Sequence, residues 1–497
     1  MASECILGSM NSSYTVLRAG FPKIIIVGMF ALMPMWLPGQ NLTVTPSTFV
    51  TNDKTDSVAV DLCSFRVPTD WSVATTDSLT LRFVRFPTTS DHPGPPIVYL
   101  AGGPGGSATG TAAGNRYSLF QKLRQVADVI VFDQRGTGLS NELPNCPYRA
   151  TFPVDSALHR EDYVRRTVDN VRRCLSFYDS SGYDLTHYHT EASARDLEAL
   201  RTALGEDQIS LWGISYGSHL AFAYIRLFEE RVNRVVLAAL EGPDETIKLP
   251  ANTQRFLHRL ARRAATNYGQ KPTYPDLLAQ MEDVHDRFKA QPIRAPFTSR
   301  SGEEITVTIT HFDLQWVVAA HFLRDPSDSA LLPRFYQRLH AGDYTELAVK
   351  VWVFKKFVLP GFRPMAFAMD QMSGISEGRR RAVRVQRDTT LLGSAVNGLL
   401  YEWMEEIPFP SLPSSFRQLP VNDVDALLIS GVLDGRTYSW VGAQVAQSFT
   451  NGYHGLVDHA GHNLFMTDPV IGDMILRFFR GQSPKVDRIQ LDPVPFK

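Results

Sequence analysis

The sequence predicts an α/β protein, with a mostly parallel, doubly wound sheet and a large inserted helical cap domain. Three observations carry this expectation. Short runs that read as buried strands, at residues 96–100 (continuously apolar), 127–132 and 232–240, alternate with runs of helical periodicity. That is the pattern of strands covered by helices on both faces. At residues 209–218 an apolar run meets Gly213-Ile214-Ser215-Tyr216-Gly217, and a helix-like run follows over 219–228. A strand therefore turns sharply into a helix at one serine. Finally, the alternation stops near Glu245 and resumes at Asp425–Gly431, with a helical, proline-punctuated stretch between.

Within this frame, 58–66 and Ser78–Phe86 read as antiparallel strands opening the sheet, after a polar linker over 40–56. Residues 96–100 and 127–132 are the first buried strands. Residues 160–178 and Thr190–Leu204 have helical periodicity, the second with Glu191 and Arg195 at i,i+4 spacing. A small strand pair near 297–310 interrupts the helical insert, and 453–457 is the last strand, before a closing helix that includes 475–480. The expected divisions are a leader or anchor at 1–39, a core over 40–244 and 425–497, and a cap over 245–424.

The chain has 497 residues, 44% of them hydrophobic and 20% charged, with a formal net charge of −1. That balance argues against a nucleic-acid binder, which would carry a basic excess. Arg18 and Lys23 precede an apolar run over 24–37 that ends at Pro38 and Gly39. This resembles a secretory signal more than a spanning helix, which needs about 20 apolar residues. Export, periplasmic or secreted, is the expectation; an uncleaved N-terminal membrane anchor is the alternative, since no A-x-A cleavage pattern follows. Loss of the leader removes Cys5 and leaves Cys63, Cys146 and Cys174. Cys146 and Cys174 flank one loop-plus-helix segment and are the expected bridge in an oxidising compartment. Cys63 reads as a buried thiol. No C-x-x-C or H-E-x-x-H spacing points to a metal, and no cofactor is expected.

In an open α/β sheet, ligands bind at the carboxyl ends of the strands, and the chemistry-bearing residues fall there. The glycines around Ser215 allow a tight turn that lifts its hydroxyl clear of the sheet. Gly102-Gly103-Pro104-Gly105-Gly106 follows a strand, where bare backbone N–H groups can face inward as an oxyanion hole. A phosphate-cradling loop is the competing reading, but its G-x-x-x-x-G-K-[ST] spacing is absent. Asp434 lies just past the strand Asp425–Gly431, and His462 in the loop after the last strand. The order Ser215, Asp434, His462 is that of the α/β-hydrolase fold. Ser215 is the expected nucleophile, His462 the base and Asp434 its orienting acid, with the Gly103 and Tyr216 N–H groups as oxyanion donors. His459 competes with His462; the small Ala460-Gly461 pair before His462 gives its ring room to turn toward the serine. Asp133 and Arg135 are expected to bond loop backbone.

Together, Gly102–Ser107, Asp133-Gln134-Arg135-Gly136-Thr137-Gly138, Gly213–Gly217, Thr190–Arg201, Gly431–Thr437 and Ala460-Gly461-His462 resemble the prolyl aminopeptidase and tripeptidyl aminopeptidase group of α/β-hydrolase serine peptidases. The resemblance covers nearly the whole chain after about residue 55. One departure is Ala101, where many relatives have histidine. The resemblance implies a serine exopeptidase that forms an acyl-enzyme on a peptide or small-molecule acyl substrate and reads the free N-terminal ammonium with a carboxylate. Glu241 and Asp244 are placed for that, with Glu402, Glu405 and Glu406 as alternatives; each also reads as a capping or solvated carboxylate. The competing function is a carboxylesterase or lipase-like enzyme whose acyl pocket is lined by Trp316, Phe322, Trp352, Phe354 and Phe357. A non-catalytic binding protein on the same fold is a third reading, disfavoured by the complete triad. Oligomeric state has no signal in the sequence.

Overall fold

Alternate residues of the central strands feed two separate cores, which is what winds helices onto both faces of the sheet. In β4 (Ile97–Leu100), Val98 and Leu100 join Ile130, Phe132, Leu211 and Leu237 in one core, whereas Ile97 and Tyr99 join Val129, Trp212 and Val236 in the other. The first core is closed by the helices Thr190–Leu204 and Tyr216–Phe228, the second by Tyr117–Leu123 and Pro469–Phe479. The computed structural model describes residues 42–266, 274–359, 361–484 and 488–497, and the expected leader at 1–39 lies outside them.

The remaining strands are β1 (Thr43–Val50), β2 (Ser57–Pro68), β3 (Ser78–Phe86), β5 (Val129–Phe132), β6 (Ile209–Ile214), β7 (Val232–Ala238), β10 (Asp425–Gly431), β11 (Gly452–Asp458) and β12 (Arg488–Gln490). They form one sheet in the order β1-β2-β3-β5-β4-β6-β7-β10-β11-β12. The pairs from β1 to β5 are antiparallel and those from β5 through β4 to β12 are parallel. The strand order reverses at β4 and β5, so the ends of β4 and β6 open side by side into a crevice. Two edge strands, β1 and β12, fall outside the sequence expectation. The polar, proline-containing β1 reads as a linker because it is largely exposed and pairs on one side only.

The β7–β10 connection is largely helical, with one hairpin of β8 (Ile293–Thr298) and β9 (Glu304–Ile309). Its helices Pro250–Thr266, Leu277–Ala290, His311–His321 and Leu332–His340 share a core that includes Phe256, Met281, Val317 and Phe335. A second part, Pro364–Ser373, packs Met365, Met369 and Met372 into the first sheet core. Cys146 and Cys174 are bridged, tying the loop after β5 to the helix Arg160–Ser180. Cys63 is buried, and burial pushes its thiol up to about 11. Among the described residues no helix is long and apolar enough to cross a membrane, and no three metal-ligating side chains are gathered.

Candidate active site

Ser215 stands between β6 and the helix Tyr216–Phe228 with φ 57° and ψ −126°, a conformation that costs a non-glycine residue about 1–3 kcal/mol. The flanking glycines explain how it is held. A Cβ on Gly213 would sit 2.8 Å from the Gly217 carbonyl oxygen, and one on Gly217 only 2.2 Å from that of Leu100. Neither neighbour is a flexible side chain, so both positions require glycine for close backbone packing. The Ser215 amide donates to the Ala238 carbonyl at 3.0 Å, and the Ser218 hydroxyl donates to the Ser215 carbonyl at 2.6 Å.

Asp434 lies just past β10, 1% exposed, and its Oδ2 is 2.9 Å from His462 Nδ1. The turn after it supplies further donors: the Arg436 and Thr437 amides to Oδ1 at 2.7 and 2.9 Å, and the Thr437 hydroxyl to Oδ2. Burial would raise this carboxyl, but the His462 ring and these hydrogen bonds outweigh it and hold the group below the usual carboxylate range. With Nδ1–H committed to Asp434, the neutral ring carries its lone pair on Nε2. His459 is placed differently, at the end of β11 with Nδ1 3.2 Å from an Arg263 guanidinium nitrogen.

Ser215 and His462 line one cleft of about 730 Å³, together with Gly102, Gly103, Pro104 and Glu241. Tyr216 is the first residue of its helix, so its N–H has no partner within the helix. Gly102 fits against the elbow, since a Cβ there would meet the Ile214 carbonyl at 2.8 Å and Ser215 Cβ at 3.2 Å. Gly103 has φ 136°, a region open to glycine alone. Asp133 anchors the far side of this loop: its Oδ1 accepts from the Ala108 amide at 2.6 Å and its Oδ2 from the Leu139 amide at 2.9 Å. Arg135 is fully buried and pairs with Asp196 through two bonds of 2.7 and 2.6 Å, with further bonds to the Thr69 and His187 carbonyls.

Residues 95–280 match the alpha/beta hydrolase fold family. The chain has the alpha/beta hydrolase fold. It is 31% identical over 231 residues to the serine protease Hip1 of Mycobacterium tuberculosis (strain ATCC 25618 / H37Rv), covering 44% of each chain. It is 30% identical over 154 residues to the tripeptidyl aminopeptidase of Streptomyces lividans, covering 30% of this chain and 28% of that one. The chain thus spans less than half the length of the curated relatives it matches. The solved proline iminopeptidase-related protein of Thermus thermophilus aligns with TM-score 0.38 and 18% identity, over 85% of this chain and 98% of that one. Both of these curated relatives are peptidases by name.

The carboxylates expected to meet a substrate divide in this structure. Glu241 lines the cleft, its amide bonded to the Ser218 hydroxyl and its Oε2 2.9 Å from Lys248 Nζ. Asp244 is directed elsewhere. Its oxygens accept from the Ser376 amide and hydroxyl at 2.8 and 2.6 Å and from Arg379, capping the helix Glu377–Gln386. Glu402 and Glu405 are spent on Arg160 and on Arg380 and Arg384, and with Glu406 they line a separate cavity of about 1060 Å³ that holds no triad residue. Asp370, which the sequence does not single out, lies on the helix Pro364–Ser373 and lines the same cleft as Ser215. Burial, and then the charge of Glu241, push its carboxyl well above the usual range. Of the aromatics expected to line an acyl pocket, Trp316 does so; Phe322 and Phe354 are buried in the insertion, and Phe357 is exposed.

Proposed function

We propose that this hydrolase is an exopeptidase of the aminopeptidase type, releasing N-terminal residues or short peptides through an acyl-enzyme. The observation that carries the proposal is the pair Glu241 and Asp370 in the same cleft as Ser215. The part-buried Asp370 carboxyl, whose proton affinity is raised by desolvation and then by Glu241, is short of cations, and a substrate ammonium supplies one. Lys248 neutralises only part of that charge. The names of the relatives, a serine protease and a tripeptidyl aminopeptidase, favour the same substrate class.

In this mechanism Ser215 Oγ attacks the scissile carbonyl while its proton passes to His462 Nε2. The carbonyl oxygen becomes an oxyanion held by the Gly103 and Tyr216 N–H groups, each worth on the order of 3 kcal/mol. Asp434, kept ionised by its hydrogen bonds, stabilises the imidazolium and fixes its tautomer. His462 then protonates the leaving nitrogen as the C–N bond breaks. Water, deprotonated by the same ring, attacks the ester and frees Ser215. Asp244 has no part in this; Asp370 takes the role the sequence suggested for it.

The test is to N-acetylate a good peptide substrate. A buried carboxylate left without its partner costs roughly 3–5 kcal/mol, so kcat/KM should fall by about two to four orders of magnitude. Equal rates on the free and acetylated peptides would move the reading to an ester hydrolase, whose apolar contacts would be Trp316, Phe367 and Trp403 in the cleft wall. Export belongs to the same proposal: the Cys146–Cys174 bridge suits an oxidising compartment. Mass analysis of mature, non-reduced protein should find residues 1–39 removed.

A further inference from the structure

Beside the catalytic base, the cleft carries a charge pattern opposite to that of Glu241 and Asp370. Asn463 directly follows His462, and Asp325 holds it twice: Oδ1 accepts the Asn463 amide at 2.9 Å and Oδ2 accepts Nδ2 at 2.7 Å. A carboxylate only accepts, so the side-chain NH₂ must face Asp325, and Asn463 Oδ1 points away from it. Two guanidinium groups converge on that oxygen, Arg324 Nη2 at 3.2 Å and Arg116 Nη2 at 3.4 Å. Arg116 also donates to the Tyr99 hydroxyl. Arg116, Arg324, Asn463 and Tyr99 all line the cleft with Ser215 and His462.

One neutral amide oxygen cannot compensate two cations. Arg324 has Asp325 3.6 Å from its Nε, and among the described residues Arg116 has no carboxylate partner. Each guanidinium has five N–H donors, so donors remain for a ligand. A fork of this kind matches a planar carboxylate. Its place in the reaction follows from His462. The base hands its proton to the leaving nitrogen, so the leaving product begins at that ring, and Asn463 is the next residue along.

We propose that Arg116 and Arg324 form the site for the carboxylate of the leaving product, the free α-carboxylate of a short peptide. This rests on the exopeptidase reading and narrows it. With Glu241 and Asp370 on the acyl side, the cleft reads both ends of a small zwitterionic peptide. Its volume of about 730 Å³ is that of a pocket for a small ligand rather than a groove for a protein chain.

Three peptides with the same acyl part test this: a free acid, its C-terminal amide, and an amide with glutamate as the first leaving residue. The free acid should exceed the amide in kcat/KM by about ten- to a hundredfold, the value of hydrogen bonds to a charged group. The glutamate amide should stay with the plain amide; if it matches the free acid, the site reads side chains and the α-carboxylate assignment is overturned. In Arg116→Gln/Arg324→Gln the acid-to-amide ratio should fall toward one. A purely structural role would lower both rates and leave that ratio unchanged, which would overturn the proposal. Arg324 is exposed, so Arg324→Gln alone serves if the double variant does not fold. Calorimetric binding of free acid and amide to Ser215→Ala should give the same preference without turnover. Equal acid and amide values, with N-acetylation still blocking turnover, would remove the carboxylate site and leave the exopeptidase reading standing.

Discussion

Replacing Gly217 by alanine separates the role of the elbow glycines from that of the catalytic groups. The new Cβ would lie 2.2 Å from the Leu100 carbonyl oxygen and 3.0 Å from its carbon, where ordinary contact begins near 3.4 Å. Both are backbone atoms of β4, so no side chain can swing aside; the end of β4 or the start of the Tyr216 helix must move by about 1 Å. Leu100 is followed at once by Ala101, Gly102 and Gly103, and the shift reaches the oxyanion loop. A misplacement of about 1 Å typically costs on the order of 100-fold in rate, and overpacking costs roughly 1–3 kcal/mol of stability. Gly378, early in the helix Glu377–Gln386, is the control. A Cβ there meets nothing within 4 Å, so Gly378→Ala should stabilise by up to about 0.5–1 kcal/mol and keep wild-type rates. Thermal melts, with acylation bursts on an activated ester, read both effects. A Gly217→Ala protein with wild-type burst rate and melting temperature would refute the steric argument.

Other expectations concern single groups. Ser215→Ala should remove turnover with little change in melting temperature, and Asp434→Asn should cost about 10⁴-fold in kcat; an inactive His459→Ala beside an active His462→Ala would reverse the assignment of the base. Asp370 has a raised pKa, so as pH falls through that raised value the carboxylate is neutralised. KM for free-amine peptides should then rise, while KM for an N-acetylated peptide stays flat over the same window. Arg135→Met leaves Asp196 buried without its cation and should destabilise by roughly 3–5 kcal/mol in denaturant titration, with Asp196→Leu added to it recovering part of the loss. Removing the bridge with Cys174→Ser should cost about 3–4 kcal/mol by the loop-entropy relation for its sequence separation of 28, read as a lower melting temperature.

What the sequence discloses is the part of the fold that repeats locally. Strands β4 and β5 are apolar throughout because both faces are covered, and the parallel strands end in loops that carry the candidate residues, so the order of Ser215, Asp434 and His462 is legible from sequence alone. The edge strands β1 and β12 lack that burial and therefore lack the signal. The carboxylates proposed to meet the substrate are harder to place from sequence, because Glu241, Asp244 and Asp370 differ only in long-range contacts. Asp244 stands three residues from Glu241, yet Ser376 and Arg379, far along the chain, draw it out of the site. The helix Pro364–Ser373 brings Asp370 in, surrounded in sequence by Met365, Phe367, Ala368, Met369 and Met372. That surrounding was itself a legible signal. A lone carboxylate in an apolar helix must be desolvated when its neighbours are buried, and such a group persists only where a partner or a ligand stabilises it. In this cleft the nearby charges of Lys248 and Arg363 act on Asp370 without bringing its carboxyl back to the ordinary range. On the proposed reading, a substrate ammonium entering the cleft would add the positive charge that draws this carboxyl back toward its ionised form.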